Sequence, residues 1–108
     1  MKEEISESQV QRAILDYLAA RHIMAFRMQT GASFSEYGGK NRMIRYGVAG
    51  MADILAFPQW RDTPVWLEVK SATGKQSDIQ KSFQEQVERE EHKYAVVRSI
   101  DDVIEALA

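Results

Sequence analysis

The chain has 108 residues, a formal net charge of -2 and no cysteine. This length fits one compact domain, which we expect to span residues 1–108. The lack of cysteine excludes disulfides and thiolate metal sites. No apolar run reaches the roughly 20 residues of a membrane helix, and no apolar signal segment follows the N-terminus. The composition therefore predicts a cytoplasmic protein that does not enter a membrane.

The charges are unevenly distributed along the chain. Residues 21–45 sum to +4, whereas residues 85–108 sum to -4. The first region could face the phosphates of a nucleic acid. Both regions could equally be solvated surface, and the acidic one also allows a protein-interaction domain.

The N-terminal half is predicted to begin with a helix. Ser6 and Gln9 have the spacing of a capping box, and apolar residues then recur at helical spacing to about Arg21. Residues 24–29 are predicted as a short strand. Residues 30–39 are predicted as a loop because they are rich in Gly, Ser and Thr. Residues 42–46 could be a short strand or an ordered arm.

Two strands are predicted in the middle of the chain. Gly47 and Gly50 frame a turn before residues 52–57, which are apolar except for Asp53 and therefore typical of a central strand. Residues 64–70 alternate in polarity. One face of this strand carries Val65, Leu67 and Val69, and the other carries Trp66, Glu68 and Lys70.

The remaining residues predict helix, strand and helix. Ser77 and Gln80 form a second capping box, which begins a helix to about residue 91 with Ile79, Phe83 and Val87 facing inward. Residues 94–98 are predicted as a last strand and residues 101–107 as a closing helix. The order of elements predicts an α/β domain with a central mixed β-sheet flanked by helices.

The residues with the clearest chemical character are Asp53, Glu68 and Lys70. A carboxylate in an apolar strand is costly unless it is paired or bound to a metal. Glu68 and Lys70 are two residues apart in the next strand, so they share a face. Two carboxylates with the backbone carbonyl of Val69 could hold Mg²⁺ or Mn²⁺, with Lys70 acting on a nearby phosphate. The structural alternative is a salt bridge between Glu68 and Lys70, with Asp53 capping a turn.

Several motifs in order resemble the VRR-Nuc family, the virus-type replication-repair branch of the PD-(D/E)XK nucleases. They are Gly50-Met51-Ala52-Asp53, Glu68-Val69-Lys70, Thr73-Gly74-Lys75 with Gln80, and residues 94–99. The likeness covers most of the chain, from Glu7 and Gln11 onward. Met51-Ala52 departs from the bulky residue and proline that often precede the aspartate.

The resemblance implies a restriction-endonuclease-like core and a role for each matching residue. Asp53 and Glu68 would be metal ligands and Lys70 the catalytic lysine. Glu7 would add an acidic group to the site, or it could simply be an acid favoured at a helix N-terminus. Gln80 would be a site residue, a capping residue for Ser77, or both.

The implied activity is hydrolysis of DNA phosphodiesters with Mg²⁺ or Mn²⁺, on branched DNA such as junctions or flaps, by a homodimer. The alternative is a DNA-binding module of the same fold that cleaves little or nothing. The residues predicted to contact phosphates are Arg27, Lys40, Arg42, Arg45 and Lys75. Trp60 and Trp66 could stack on bases, although packing is the more common role of such residues. His22 and His92 are expected at helix ends.

Overall fold

The computed structural model describes residues 4–29 and 48–108, together with the backbone of residues 31–37 and 40–46. The elements in chain order are α1 (Glu7–Ala20), β1 (Met24–Arg27), β2 (Gly31–Tyr37), β3 (Lys40–Tyr46), β4 (Ile54–Phe57), β5 (Val65–Val69), α2 (Asp78–Arg89), β6 (Lys93–Val97) and α3 (Ile100–Ala106). None of the helices in this described part has the length and apolar character needed to span a bilayer.

Both predicted capping boxes are present, and they fix where α1 and α2 begin. The Ser6 hydroxyl accepts the backbone N–H of Gln9, and the Gln9 side chain accepts the backbone N–H of Ser6 at 2.8 Å. Ser77 and Gln80 repeat the arrangement at the start of α2. Each box satisfies two backbone groups that a helix N-terminus otherwise leaves free.

The main sheet has four strands in the order β1-β4-β5-β6. β4 is antiparallel to both β1 and β5, whereas β5 and β6 are parallel and are connected through α2. The predicted mixed sheet is therefore confirmed, with β4 and β5 as its central strands.

The sheet is covered by helices on both faces. On one face, α1 and α3 pack over the inward side chains of β4, β5 and β6. This core contains Ile14, Leu18, Ile54, Leu67 and Val103, all at most 1 % exposed. On the other face, α2 covers a smaller cluster of Ala52, Phe83, Val87 and Tyr94, with Trp66 packed against it. The alternation predicted for β5 matches this division.

The prediction of a loop over residues 30–39 was wrong for residues 31–37. Gly31–Tyr37 forms a strand that pairs antiparallel with Lys40–Tyr46, in a separate two-stranded sheet. The sequence between the strands is Gly38-Gly39, a dipeptide typical of two-residue hairpin turns. Serine and glycine residues within β2 suggested a loop because they hid the short alternating pattern around Phe34.

The inward orientation predicted for Ile79 was also wrong, because its side chain is 57 % exposed. The first turn of α2 lies against Gly50, whose backbone has a φ of +78°. A Cβ atom at position 50 would overlap the backbone carbonyl of Ile79. The close approach and the positive φ at position 50 therefore require glycine. Ile79 lies in the first turn of α2, one turn before Phe83, the first residue of this helix to reach the buried cluster.

Candidate metal and phosphate site

The sheet register brings Asp53 and Glu68 together at one end of the central strands. Ile54 pairs with Leu67, and continuing this register by one residue sets Asp53 opposite Glu68. Opposite residues of antiparallel strands share a face. The sequence predicted Asp53 within the strand of residues 52–57. β4 begins at Ile54, so Asp53 lies just before it. The turn that begins at Gly50 leads the chain into this position.

Hydrogen bonds to both neighbouring strands hold Asp53. Its Oδ2 atom accepts the backbone N–H of Val69 at 2.8 Å. Its backbone carbonyl accepts the N–H of Met28, beyond the end of β1, at 2.7 Å. The carboxylate therefore caps no local turn, contrary to the structural alternative, and instead bridges to β5.

Glu68 is a carboxyl group buried to 1 % exposure. One of its oxygens, Oε1, accepts the Nε2 amide of Gln80 at 3.0 Å. The other oxygen, Oε2, is buried and has no hydrogen-bond partner among the described residues. Burial, together with the negative charge of Asp53, raises the pKa of Glu68 to about 8, although Lys70 opposes the rise.

The side chain of Gln80 serves both roles left open by the sequence. Its Oε1 atom accepts the backbone N–H of Ser77 at 2.9 Å, completing the capping box. This contact turns the Nε2 amide group toward Glu68. Helix capping thus orients the donor that holds the buried carboxyl group.

Lys70 follows β5 and is 8 % exposed. Its Nζ atom lies 3.6 Å from Oε1 of Glu7, in the first turn of α1. Among the described residues, Glu7 is its one salt-bridge partner, so the Glu68–Lys70 salt bridge of the structural alternative is not formed. The half-exposed Glu7 therefore contacts the Lys70 ammonium group, and the charge of Lys70 also acts on Glu68.

Two residues that line the site, Gln76 and Tyr94, were not predicted as site residues from the sequence. Tyr94 is buried beside Glu68, and burial together with the charge of Glu68 raises its pKa to about 12. Its hydroxyl oxygen accepts the Nε2 amide of Gln76 at 3.1 Å. Trp66 packs edge-on against Phe83, with ring centroids 5.1 Å apart. No spacing in the sequence marks Gln76 or Tyr94, because the contact joins a loop to a distant strand.

The donor set fits a single divalent cation. Two carboxylates and an adjacent carbonyl of Val69 are the hard oxygen ligands that Mg²⁺ accepts, with water or phosphate oxygens completing its coordination. The unpaired Oε2 of Glu68 is a buried acceptor that such a cation would satisfy. Within residues 4–29 and 48–108, no group of three or more Asp, Glu, His or Cys side chains is close enough to hold a metal by itself.

The predicted phosphate-contacting residues do not all lie near the carboxylates. Arg27 pairs with Ile54 and lines a cleft beside α1, on the opposite face of the sheet from Asp53. Lys75 is exposed in the loop after Lys70. The side chains of Lys40, Arg42 and Arg45 lie outside the described part of the chain.

Trp60 makes a structural contact, and the two histidines lie near helix ends, as the sequence led us to expect. The exposed Trp60 donates its indole N–H to the backbone carbonyl of Leu107. His22 and His92 both lie just beyond helix ends, and His22 has a φ of +57° after α1. This left-handed conformation is common directly after a helix.

Comparisons with family models, curated proteins and solved structures found no match for this chain. In the part of the chain that the structure describes, the fold class is a small α/β domain with a four-stranded mixed sheet, a two-stranded antiparallel sheet and three helices.

Proposed function

We propose that the chain is a metal-dependent DNA nuclease with a restriction-endonuclease-like core, of the VRR-Nuc type that its sequence resembles. The observation that carries the proposal is the pairing of Asp53 with Glu68 across two central strands, beside a buried Lys70. Burying the Glu68 carboxyl group with one unpaired oxygen, beside a buried lysine to which it is not paired, reduces the stability of the fold. The burial of both the acid and the lysine is more readily explained by a role in catalysis than by a contribution to stability.

The charge balance of the site favours a bound cation. Asp53, Glu68 and Glu7 provide three carboxyl groups, and Lys70 provides one ammonium group. Without a cation, this cluster repels phosphate. A module that only binds DNA gains nothing from such a cluster, whereas a nuclease needs it to hold its metal.

Asp53, Glu68 and the Val69 carbonyl are the groups proposed to hold Mg²⁺ or Mn²⁺. The chemistry that a bound divalent cation supplies is Lewis-acid activation of water and of the phosphate. Lys70 is proposed to stabilise the charge that develops on the phosphate oxygens. Glu7 positions the Lys70 ammonium, and Gln80 keeps the Glu68 carboxyl group in a fixed orientation.

The proposed substrate is branched DNA, such as a junction or flap, and the proposed assembly is a homodimer with two sites. The resemblance supports both. Two exposed apolar side chains on β1, Met24 and Phe26, add surface that a second copy would cover. The expectation of a dimer also rests on five apolar residues between positions 43 and 51. Val48 is 53 % exposed, and Met51 packs against the cluster below α2. The side chains of Met43, Ile44 and Tyr46 lie outside the described part of the chain. Light scattering at micromolar concentration tests the dimer, and a species of 12.4 kDa alone would contradict it.

The test of function is a cleavage assay on a panel of branched and linear DNAs with Mg²⁺, Mn²⁺ or excess EDTA. Cleavage should require the metal. Lys70→Ala should lower the cleavage rate by roughly 100-fold or more while DNA binding is nearly unchanged. Lys93→Ala, which removes a lysine from the start of β6, is the matched control and should cleave normally.

Three results would count against this account. Full activity in EDTA would contradict the metal requirement. If Lys70→Ala lowered DNA binding and cleavage in equal proportion, Lys70 would bind a phosphate but would not act in the cleavage step. Metal-independent DNA binding without cleavage of any substrate would support the binding module instead.

A further inference from the structure

We infer that a second phosphate-binding site lies beside the carboxylates, in a cleft lined by Lys75, Lys81 and Arg98. The inference rests on the proposed nuclease function. It adds a place where the DNA backbone is held close to the phosphate that is cleaved.

The cleft gathers three positively charged side chains, and none of its described lining residues is acidic. Gln76 and Val96 complete its lining, and its volume is about 390 Å³, ample for a phosphodiester group. Within residues 4–29 and 48–108, none of its three cations forms a salt bridge. Cations brought together without carboxylates repel one another, and an anion placed among them relieves that repulsion.

The guanidinium of Arg98 is built into this cleft by backbone contacts. Its Nη1 atom donates to the carbonyl oxygen of Ser71 and, at 2.7 Å, to that of Gly74. These bonds tie Arg98 to the loop that follows Lys70. Among the described residues the bonds use Nη1 only, so the donors on Nε and Nη2 are available to an external acceptor. A planar guanidinium with two free donors is suited to phosphate oxygens.

The cleft lies next to the carboxylates on the same face of the sheet. Val96 is the register partner of Glu68 in the parallel pair of β5 and β6. It packs against the same cluster as Trp66, below α2. Neighbouring strands are about 4.8 Å apart. The cleft is therefore one strand further toward the β6 edge than Glu68.

The helix α2 joins the two sites. Gln80 contacts Glu68, and the next residue along the helix, Lys81, lines the cleft. Because Val96 in the cleft is the neighbour of Glu68 on the adjacent strand, a phosphate in the cleft should be one or two positions along the DNA from the phosphate at Asp53 and Glu68.

The first test measures DNA affinity against salt concentration, with Asp53→Asn present in every protein so that no cleavage occurs. Lys75→Ala/Lys81→Ala should reduce the slope of log K against log salt by about 2, because each lost phosphate contact removes about 0.9. Between 50 and 200 mM salt, the affinity should then fall on the order of tenfold less than in the protein that keeps both lysines.

The matched control is Arg89→Ala/Lys93→Ala, which also removes two positive charges. Arg89 ends α2 and Lys93 begins β6, and Arg89 is eight residues, or about 12 Å, along the helix from Lys81. The control should leave the salt slope nearly unchanged.

A second measurement locates the phosphate. Single neutral methylphosphonates are placed at successive positions around the cleaved phosphate of the substrate. With Lys75 and Lys81 present, one substitution one or two positions away should weaken binding. The same substitution should have no effect in the double variant, since the two changes remove one contact.

The outcomes separate this inference from the proposed function. If the Asp53→Asn protein binds DNA but the lysine and control variants change its salt slope equally, the cleft is not a phosphate site and the nuclease proposal survives. If the Asp53→Asn protein binds no DNA of any form, both are overturned. If the methylphosphonate still weakened binding in the double variant, the cleft would not be the site that binds this phosphate.

Discussion

Strand β5 presents two different surfaces to the helices around it. Toward α1 and α3 it places Val65, Leu67 and Val69, and all three are fully buried in apolar surroundings. Toward α2 it places Trp66 and Glu68, and Glu68 is as buried as the core residues. The same five residues therefore contribute to an apolar core on one side and bury a carboxyl group on the other.

This difference indicates which side is shaped by stability alone. On the apolar side, each buried side chain adds favourable transfer free energy. On the α2 side, burial, the unpaired Oε2 atom and the nearby charge of Asp53 all disfavour the charged form of Glu68, and its pKa is raised accordingly. Replacements on the two sides should consequently change the free energy of unfolding in opposite directions.

The largest expected effect is on the apolar side. Leu67→Ala should lower the free energy of unfolding by about 2–5 kcal/mol, because it removes buried contacts and leaves a cavity. Urea denaturation measures this change. Ile104→Ala, at a half-exposed position of α3, is the control and should cost far less. A Leu67→Ala protein with the parent's stability would mean that this face is not the core.

A smaller effect of opposite sign is expected at Glu68. The pKa of Glu68 is about 8 in the folded protein against an ordinary value of 4.5. Between these values the folded state keeps a proton that the unfolded state loses, so stability falls as the pH rises. The metal-free protein should lose on the order of 1 kcal/mol per pH unit between about pH 5 and pH 8.

The matched variant is Glu68→Gln, because glutamine resembles the protonated acid in size and hydrogen bonding. This variant should lose most of that pH dependence and be more stable than the parent at pH 8. Denaturation curves at several pH values, all in EDTA, measure both properties. A parent whose stability rises from pH 5 to pH 8, with no change in Glu68→Gln, would contradict the buried protonated carboxyl.

The smallest effect is expected at Glu7, whose side chain is half exposed. Its salt bridge with Lys70 should contribute less than about 1 kcal/mol of stability, since solvent screens it. Glu7→Gln should therefore unfold nearly as the parent does, yet lower the rate of DNA cleavage, because the Lys70 ammonium loses the group that positions it. Glu105→Gln, which changes an exposed acid of α3, should leave the cleavage rate unchanged. An equally unchanged rate in Glu7→Gln would remove Glu7 from the site.

Features governed by local spacing could be predicted from the sequence. The starts of α1 and α2 follow from four capping residues, and the faces of β5 follow from its alternation. The short turn between β4 and β5 makes them neighbours, which was enough to bring Asp53 and Glu68 together. The proximity of Asp53 and Glu68 could therefore be predicted from the sequence alone.

Features governed by tertiary contacts could not be predicted. The face on which Arg27 lies depends on the register of β1 with β4. The close contact between the first turn of α2 and Gly50 joins positions nearly thirty residues apart in the chain. The contact between Gln76 and Tyr94 joins residues from a loop and a strand that only the fold brings together. Periodicity carries no information about any of these partners.

The central claim is that Asp53 and Glu68 together hold a divalent cation, and paired thermal melts of the parent and Asp53→Asn test it most directly. In EDTA, Asp53→Asn should melt at the parent's temperature or above it, because asparagine keeps the size and an acceptor for Val69 while removing a charge beside Glu68. With millimolar Mn²⁺ the parent's melting temperature should rise, and that of Asp53→Asn should hardly change, since a ligand stabilises only the state that binds it. A variant that melts below the parent in EDTA yet keeps the parent's full shift with Mn²⁺ would show that the cation binds elsewhere.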